Sequence, residues 1–226
     1  MQQPMHQLVL DLMPEDAPSF DNFVAGGNSE ALTGLAAWLA PENRESSLFL
    51  WGELGAGKSH LLRACAACYL GSYADSATDP NLARLGKERG LHAVDHVEAL
   101  SETGQVALFN LFNRLRANGG RLLLAAHQPP LLLTHREDLR TRFGSGLIYR
   151  LQALSEAEKI TALAAQAASR GLRLPPGALD FLLARAPRDM RSLAALLVAL
   201  DRYSLEHKRP ITLPLLREVL QTPPEK

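Results

Sequence analysis

The run Gly52-Glu53-Leu54-Gly55-Ala56-Gly57-Lys58-Ser59 has the spacing G-x-x-x-x-G-K-[ST], and it constrains the chain more than any other feature. An apolar run, Ser47 to Trp51, precedes it, and a helix-like run, Leu61 to Ala67, follows it. Strand, loop and helix in that order is the context in which such a loop cradles phosphate. Glycines without a Cβ let the backbone curl so that successive N–H groups face one anion. The following helix adds partial positive charge at its N-terminus. Lys58 has the reach to meet β- and γ-phosphates, and the Ser59 hydroxyl can ligate Mg²⁺. A site for a nucleoside di- or triphosphate is therefore expected from Gly52, Gly55, Ala56, Gly57, Lys58, Ser59 and His60.

The 226 residues suffice for one α/β domain and a smaller helical one. Lys+Arg and Asp+Glu balance at 24 each. A chain that grips a duplex by bulk charge is more cationic than this, so no bulk electrostatic footprint for nucleic acid is expected, while a local basic patch stays open. No apolar stretch approaches the length of a membrane span, and the N-terminus, with Pro4, His6 and Asp11, lacks signal-peptide organisation. Cys65 and Cys68 are the only cysteines, among alanines on one face of the helix after the loop. Without a second Cys or His pair at zinc-ligand spacing they read as small buried side chains, and the compartment as reducing cytoplasm.

Residues 1–19 carry Pro4, Pro14 and Pro18 and no helical period, which predicts a flexible tail. A helix is expected from Asn28-Ser29 with Leu32, Leu35, Ala36 and Leu39 on its apolar face. The first strand and the phosphate loop follow, then a short strand near Tyr69 to Tyr73 and a strand ending in acid at Asp95. Leu108, Leu111, Phe112 and Leu115 mark a helix that Gly119-Gly120 stops. Leu122 to Ala126 has the length of a buried strand, a short helix is expected near Arg136 to Phe143, and Leu147 to Leu151 is another strand. Strands alternating with helices imply a parallel sheet covered on both faces. Beyond residue 152 only helices are expected. The first opens on the capping box Ser155-Glu156-Ala157-Glu158, and the third carries Leu193, Leu196, Leu197, Leu200 and Tyr203 on one stripe. The domain reading is a tail over 1–19, an α/β nucleotide domain over 20–152, and a helical lid over 153–226.

A phosphate loop needs a metal-organising acid at the end of a neighbouring strand, and Asp95 stands where the apolar run Leu91 to Val94 gives out. At this point the chain resembles the AAA+ domain of the bacterial replication initiator DnaA. The resemblance is carried by Phe20-Asp21-Asn22-Phe23-Val24-x-Gly26-x-Asn28, Trp51-Gly52, and Asp95-x-Val97-Glu98. It continues in Asp138-Leu139-Arg140-Thr141-Arg142-Phe143-Gly144-x-Gly146, similar to the arginine-finger box, and in Arg188-Asp189-Met190-Arg191-Ser192-Leu193, similar to the sensor-2 motif. It implies an α/β AAA+ P-loop core with a parallel sheet between helices, followed by a small all-α lid.

Initiators of the family continue into a basic DNA-binding domain, whereas this sequence stops after the lid. At its other end Gln7-Leu8-Val9-Leu10-Asp11-Leu12 looks like the peptide that docks on the β sliding clamp, through Gln7, Leu8, Leu10 and Leu12. The combination resembles the Hda branch of the family, the regulatory inactivators of DnaA. By that resemblance Val24 and Asn28 lead into the adenine pocket, Arg191 reaches the bound phosphates from the lid, and Asp95 holds Mg²⁺ through water. Phe20 and Phe23 stay open between that segment and a hydrophobic staple for the first helix. Arg142 would act in trans on ATP held by DnaA, with Arg140 a competing candidate. The resemblance implies ADP or ATP with Mg²⁺ as cofactor. It implies DnaA and the DNA polymerase III β sliding clamp as partners, with DNA met only through the clamp, and leaves a homo-oligomer open.

Departures from the family pattern bear on self-hydrolysis. His96 stands where members often carry a second acid or an amide, and the sensor-1 position reads His127-Gln128. Both argue against a tuned base, with Glu98 the open substitute. The function expected is negative regulation of replication initiation. The alternatives are a self-sufficient AAA+ ATPase of helicase-loader type and an initiation-promoting DnaA adaptor.

Overall fold

The buried strands explain why the chain folds as it does. Leu48 and Leu50 of one strand face one way and Phe49 the other, and all three are buried. Such runs, apolar at consecutive positions, need helices on both sides. The computed structural model describes residues 17–82, 90–187, 189–207 and 209–221. These form two compact units, one from Ala17 to Ala153 and one beginning at Leu154.

In the first unit the order is α1 (Ser29–Leu39), β1 (Ser47–Gly52), α2 (Lys58–Cys68), β2 (Ser72–Asp75), β3 (Leu91–Asp95), α3 (Glu102–Asn118), β4 (Arg121–Ala126), α4 (Glu137–Gly144) and β5 (Leu147–Leu151). The five strands pair in parallel in the order β2-β3-β4-β1-β5. One face of the sheet is covered by α1 and α2 through Leu35, Trp38, Leu61, Leu62 and Cys65. The other is covered by α3 and α4 through Leu108, Leu111, Phe112, Leu139 and Phe143. Helix α3 begins with the Ser101 hydroxyl accepting the Gly104 N–H at 3.0 Å and ends at Gly119, both as the residue types dictate.

The second unit holds α5 (Glu156–Ser169), α6 (Ala178–Arg185), α7 (Met190–His207) and α8 (Leu213–Gln221) around Leu163, Leu182, Leu193, Leu197, Leu200 and Leu216. The capping box forms: Ser155 Oγ accepts the Glu158 N–H, and the Glu158 carboxylate accepts the Ser155 N–H at 2.8 Å. The Glu158 carboxylate also accepts the Ser155 hydroxyl at 2.7 Å, and this bond, with that from the Ser155 N–H, holds the carboxyl below the usual range.

Three sequence expectations are corrected. Helix α1 buries Ala31, Leu35, Trp38 and Leu39, while Ala36 is exposed. The helix turns to bury its tryptophan, whose indole N–H donates to Glu45 O at 2.9 Å. Cys68 is exposed because it ends α2, whereas Cys65 is buried in the middle. The strand expected at Tyr69 to Tyr73 begins at Ser72, since α2 runs to Cys68 and Leu70 turns with φ of 47°. The tail motif, Gln7, Leu8, Leu10 and Leu12, lies outside the described residues, as does Arg188.

Candidate nucleotide site

β1 delivers the chain to the phosphate loop between β4 and β5, and α2 carries it away. Ligands of open parallel sheets bind at this carboxyl edge. Two glycines show how tightly the loop is shaped. A Cβ on Gly52 would lie 2.0 Å from Leu151 O, and one on Gly57, with φ of 89°, would lie 2.6 Å from Phe23 Cε2. Phe23 therefore packs on the loop itself, and its ring also meets His60 edge-on at 5.5 Å. His60 Nε2–H donates to Ser19 O at 2.8 Å, so the segment before α1 is laid against the loop.

Lys58 is buried, and its ammonium donates to Gly52 O at 2.7 Å and Glu53 O at 2.9 Å. Burial lowers its pKa below the ordinary lysine value, and the charges of Asp95 and Glu98 oppose that fall. Ser59 is half-buried at the first turn of α2, with no hydrogen bond to its hydroxyl among the described residues. A loop with no room for a side chain at Gly52 or Gly57, a buried lysine and a half-buried serine hydroxyl fit a Mg–nucleotide.

Asp95 is completely buried at the end of β3. Its Oδ2 accepts the Tyr73 hydroxyl at 3.0 Å and its Oδ1 the His96 N–H at 3.0 Å. His96 has φ of 49°, and its Nδ1 lies 2.9 Å from Asp75 Oδ1, the acid paired with Asp95 in register. Glu98 follows on a single 3-10 turn, Val97–Ala99. Both its oxygens are shielded from solvent, and His127 Nε2 stands 3.1 Å from Oε1 as an ion-pair contact outside hydrogen-bond geometry. The His96 and His127 rings lie 5.7 Å apart. The structure thus brings His96 and His127, at which the sequence departs from the family pattern, together with Asp95 and Glu98, which match it. Among the described residues no group of three or more His, Cys, Asp or Glu could hold a metal by itself. Mg²⁺ would rely on phosphate oxygens, Ser59 and Asp95.

The other expected residues stand elsewhere. Asn28 is buried, with its amide donating to Gln152 O at 2.9 Å and accepting the Gln152 N–H at 2.7 Å. Its side chain therefore fastens the start of α1 to the end of β5. Val24 is half-buried and Phe20 is 38% exposed. Arg191 is exposed on the first turn of α7 in the lid unit, where Asp189 Oδ1 accepts the Ser192 N–H at 2.8 Å. Arg142 of α4 is half-buried, its guanidinium carbon 5.6 Å from the Phe109 ring centre and 5.7 Å from that of Phe112. Arg140 has no side-chain partner among the described residues. Tyr73 and His135 were missed by sequence reasoning. His135 is buried, donates through Nε2 to Val97 O at 2.7 Å, and has its pKa lowered by burial.

The family profile described as "Hda, lid domain" matches residues 156–220, and that of the "Bacterial DnaA ATPAse domain" matches residues 15–79. The chain is a Hda/DnaA-related AAA+ protein. Similar solved structures agree on the fold of this DnaA-related chain. Domain III of the Thermotoga maritima replication initiation protein DnaA is 23% identical with a TM-score of 0.70, over 93% of this chain and 100% of that one. AMPPCP-bound DnaA from Aquifex aeolicus is 22% identical with a TM-score of 0.64, over 85% and 70%. The Thermotoga maritima RuvB Holliday junction branch migration motor is 20% identical with a TM-score of 0.63, over 92% and 73%. The family assignment and the loop geometry together support nucleotide binding at this site. No helix among the described residues is long and apolar enough to cross a membrane.

Proposed function

We propose that this DnaA-related protein is a negative regulator of replication initiation that acts on ATP held by DnaA. Residues 7–12 tether it to the DNA-loaded β sliding clamp, which raises its effective concentration where clamps remain on DNA. Its own site holds a nucleotide, ADP in the resting state, as a structural ligand. Loop N–H groups and Lys58 hold the phosphates, Ser59 and Asp95 serve Mg²⁺, and Arg191 closes on the phosphates from the lid. When bound, Mg²⁺ neutralises phosphate charge. Arg142 then enters the nucleotide site of DnaA and offsets the negative charge that develops as the γ-phosphoryl group leaves.

The observation that carries this reading is the placement of Arg142. Its guanidinium lies over the rings of α3, on the sheet face opposite α2 and the phosphate loop. An arginine held by the rings of α3, with no contact to its own phosphate loop among the described residues, supports a role at a neighbour's nucleotide. The test is conversion of DnaA–ATP to DnaA–ADP with loaded clamp and this chain, against a chain lacking residues 1–12. Loss of conversion with nucleotide binding retained is expected, and unchanged conversion would remove the tether.

A second reading, a self-sufficient ATPase, is favoured by Glu98, whose charge is felt by Lys58. Against it, the Glu98 oxygens are shielded and faced by His127. Rapid turnover by the isolated chain, indifferent to DnaA and clamp, would decide for it.

A further inference from the structure

Tyr73 stands on β2, one strand outside Asp95, in a position to which no part of the mechanism above assigns a task. Its hydroxyl lies 3.0 Å from Asp95 Oδ2 and 3.2 Å from Arg63 Nη2, and the Arg63 guanidinium carbon lies 4.9 Å from the tyrosine ring centre. Arginine has donors and no acceptor, so the phenol oxygen must accept from Arg63. The single phenol proton is then directed at Asp95. A tyrosine phenol carries a proton at neutral pH and a carboxylate only accepts, so Tyr73 is the donor of this pair.

This fixes the acid as well as the tyrosine. Asp95 takes one bond on each oxygen, from Tyr73 and from the His96 N–H. Each oxygen keeps lone-pair capacity for the water shell of a metal, and the plane of the carboxylate is set. Outer partners of this kind orient a metal's ligands. Arg63 belongs to α2, the helix that Lys58 and Ser59 open, so the tyrosine also joins the phosphate-binding helix to the acid through side chains.

We infer that Tyr73, backed by Arg63, is the positioning residue that holds Asp95 in the orientation that receives hydrated Mg²⁺. The inference rests on the metal role of Asp95 proposed above. It is tested on the full chain by titrating a fluorescent ADP analogue in Mg²⁺ and in EDTA, and by following Mn²⁺ uptake into the nucleotide complex by electron paramagnetic resonance. Tyr73→Phe should weaken metal affinity by about tenfold while leaving the affinity in EDTA unchanged. Arg63→Gln, at a half-buried site on α2, should shift metal affinity the same way by less.

A merely structural tyrosine would lower affinity in Mg²⁺ and EDTA alike, and that outcome overturns the inference. Equal Mg²⁺ enhancement in wild type and Tyr73→Phe overturns it as well, leaving the role of Asp95 standing. If Mg²⁺ does nothing for the wild type, the metal role of Asp95 falls and the inference falls with it.

Discussion

Phe23 and Gly57 touch so closely that a methyl group at position 57 would meet the phenyl ring at 2.6 Å. The phosphate loop is thus shaped from outside by a residue more than thirty positions earlier, as well as by its own glycines.

Gly57→Ala should lose nucleotide binding. Its φ of 89° costs an L-residue about 1–2 kcal/mol, and the clash with Phe23 adds to it. Adding Phe23→Ala should recover part of the stability and little of the binding, because the left-handed backbone remains. Fluorescent-nucleotide titration and thermal melting separate the two terms. Full binding by Gly57→Ala alone would mean that the loop adopts another shape.

Asn28→Ala should destabilise the α/β unit by about 1–3 kcal/mol in the absence of nucleotide, since it strands both backbone groups of Gln152. The measurement is chemical denaturation without ligand. A variant as stable as the wild type but weaker for nucleotide would return Asn28 to the adenine pocket that its sequence context suggested.

Arg142→Ala should leave nucleotide binding intact and lower stability by no more than about 1 kcal/mol, the scale of a partly exposed cation–aromatic contact. Stimulated hydrolysis on DnaA should fall by about a thousandfold or more. Arg140→Ala, assayed beside it, decides between the two arginines: if Arg140→Ala is the silent partner, Arg142 is the finger.

His135 gives the fold a dependence on pH. Its folded pKa lies below the ordinary 6.5 because burial disfavours the imidazolium. Between those two values the unfolded chain binds a proton that the folded chain refuses. The stability contributed by neutral His135 is therefore complete above pH 6.5 and is lost as pH falls toward the folded pKa. Denaturation of wild type and His135→Phe at about pH 7.5 and about pH 5.5 should show the wild-type advantage narrowing in acid. A gap that does not change with pH would contradict a neutral, buried ring.

Legibility followed the range of the interactions. β1 and β4 could be read because burial on both faces writes a continuous apolar run into the chain, and the capping box at Ser155 because its partners are three residues apart. β2 slipped by a few residues because it is a short edge strand whose start depends on where α2 frays. The loop was named from motif spacing, Asp95 from its place where an apolar run gives out, and His96, Glu98 and His127 from comparison with the pattern of the family it resembles. Tyr73, His135 and the seat of Phe23 were not, since their partners lie at Asp95, Val97 and Gly57 and only the folded sheet brings them near. Nor could spacing reveal that Asn28 spends its amide on Gln152, 124 residues away.

The segment from Ser19 to Asn28 has a mechanical reading. It is pinned first to His60, next laid through Phe23 onto the loop, and then riveted by Asn28 to Gln152 at the end of β5, on the same edge of the sheet. Over those ten residues the path of the chain into α1 and the shape of the phosphate loop are set by the same contacts.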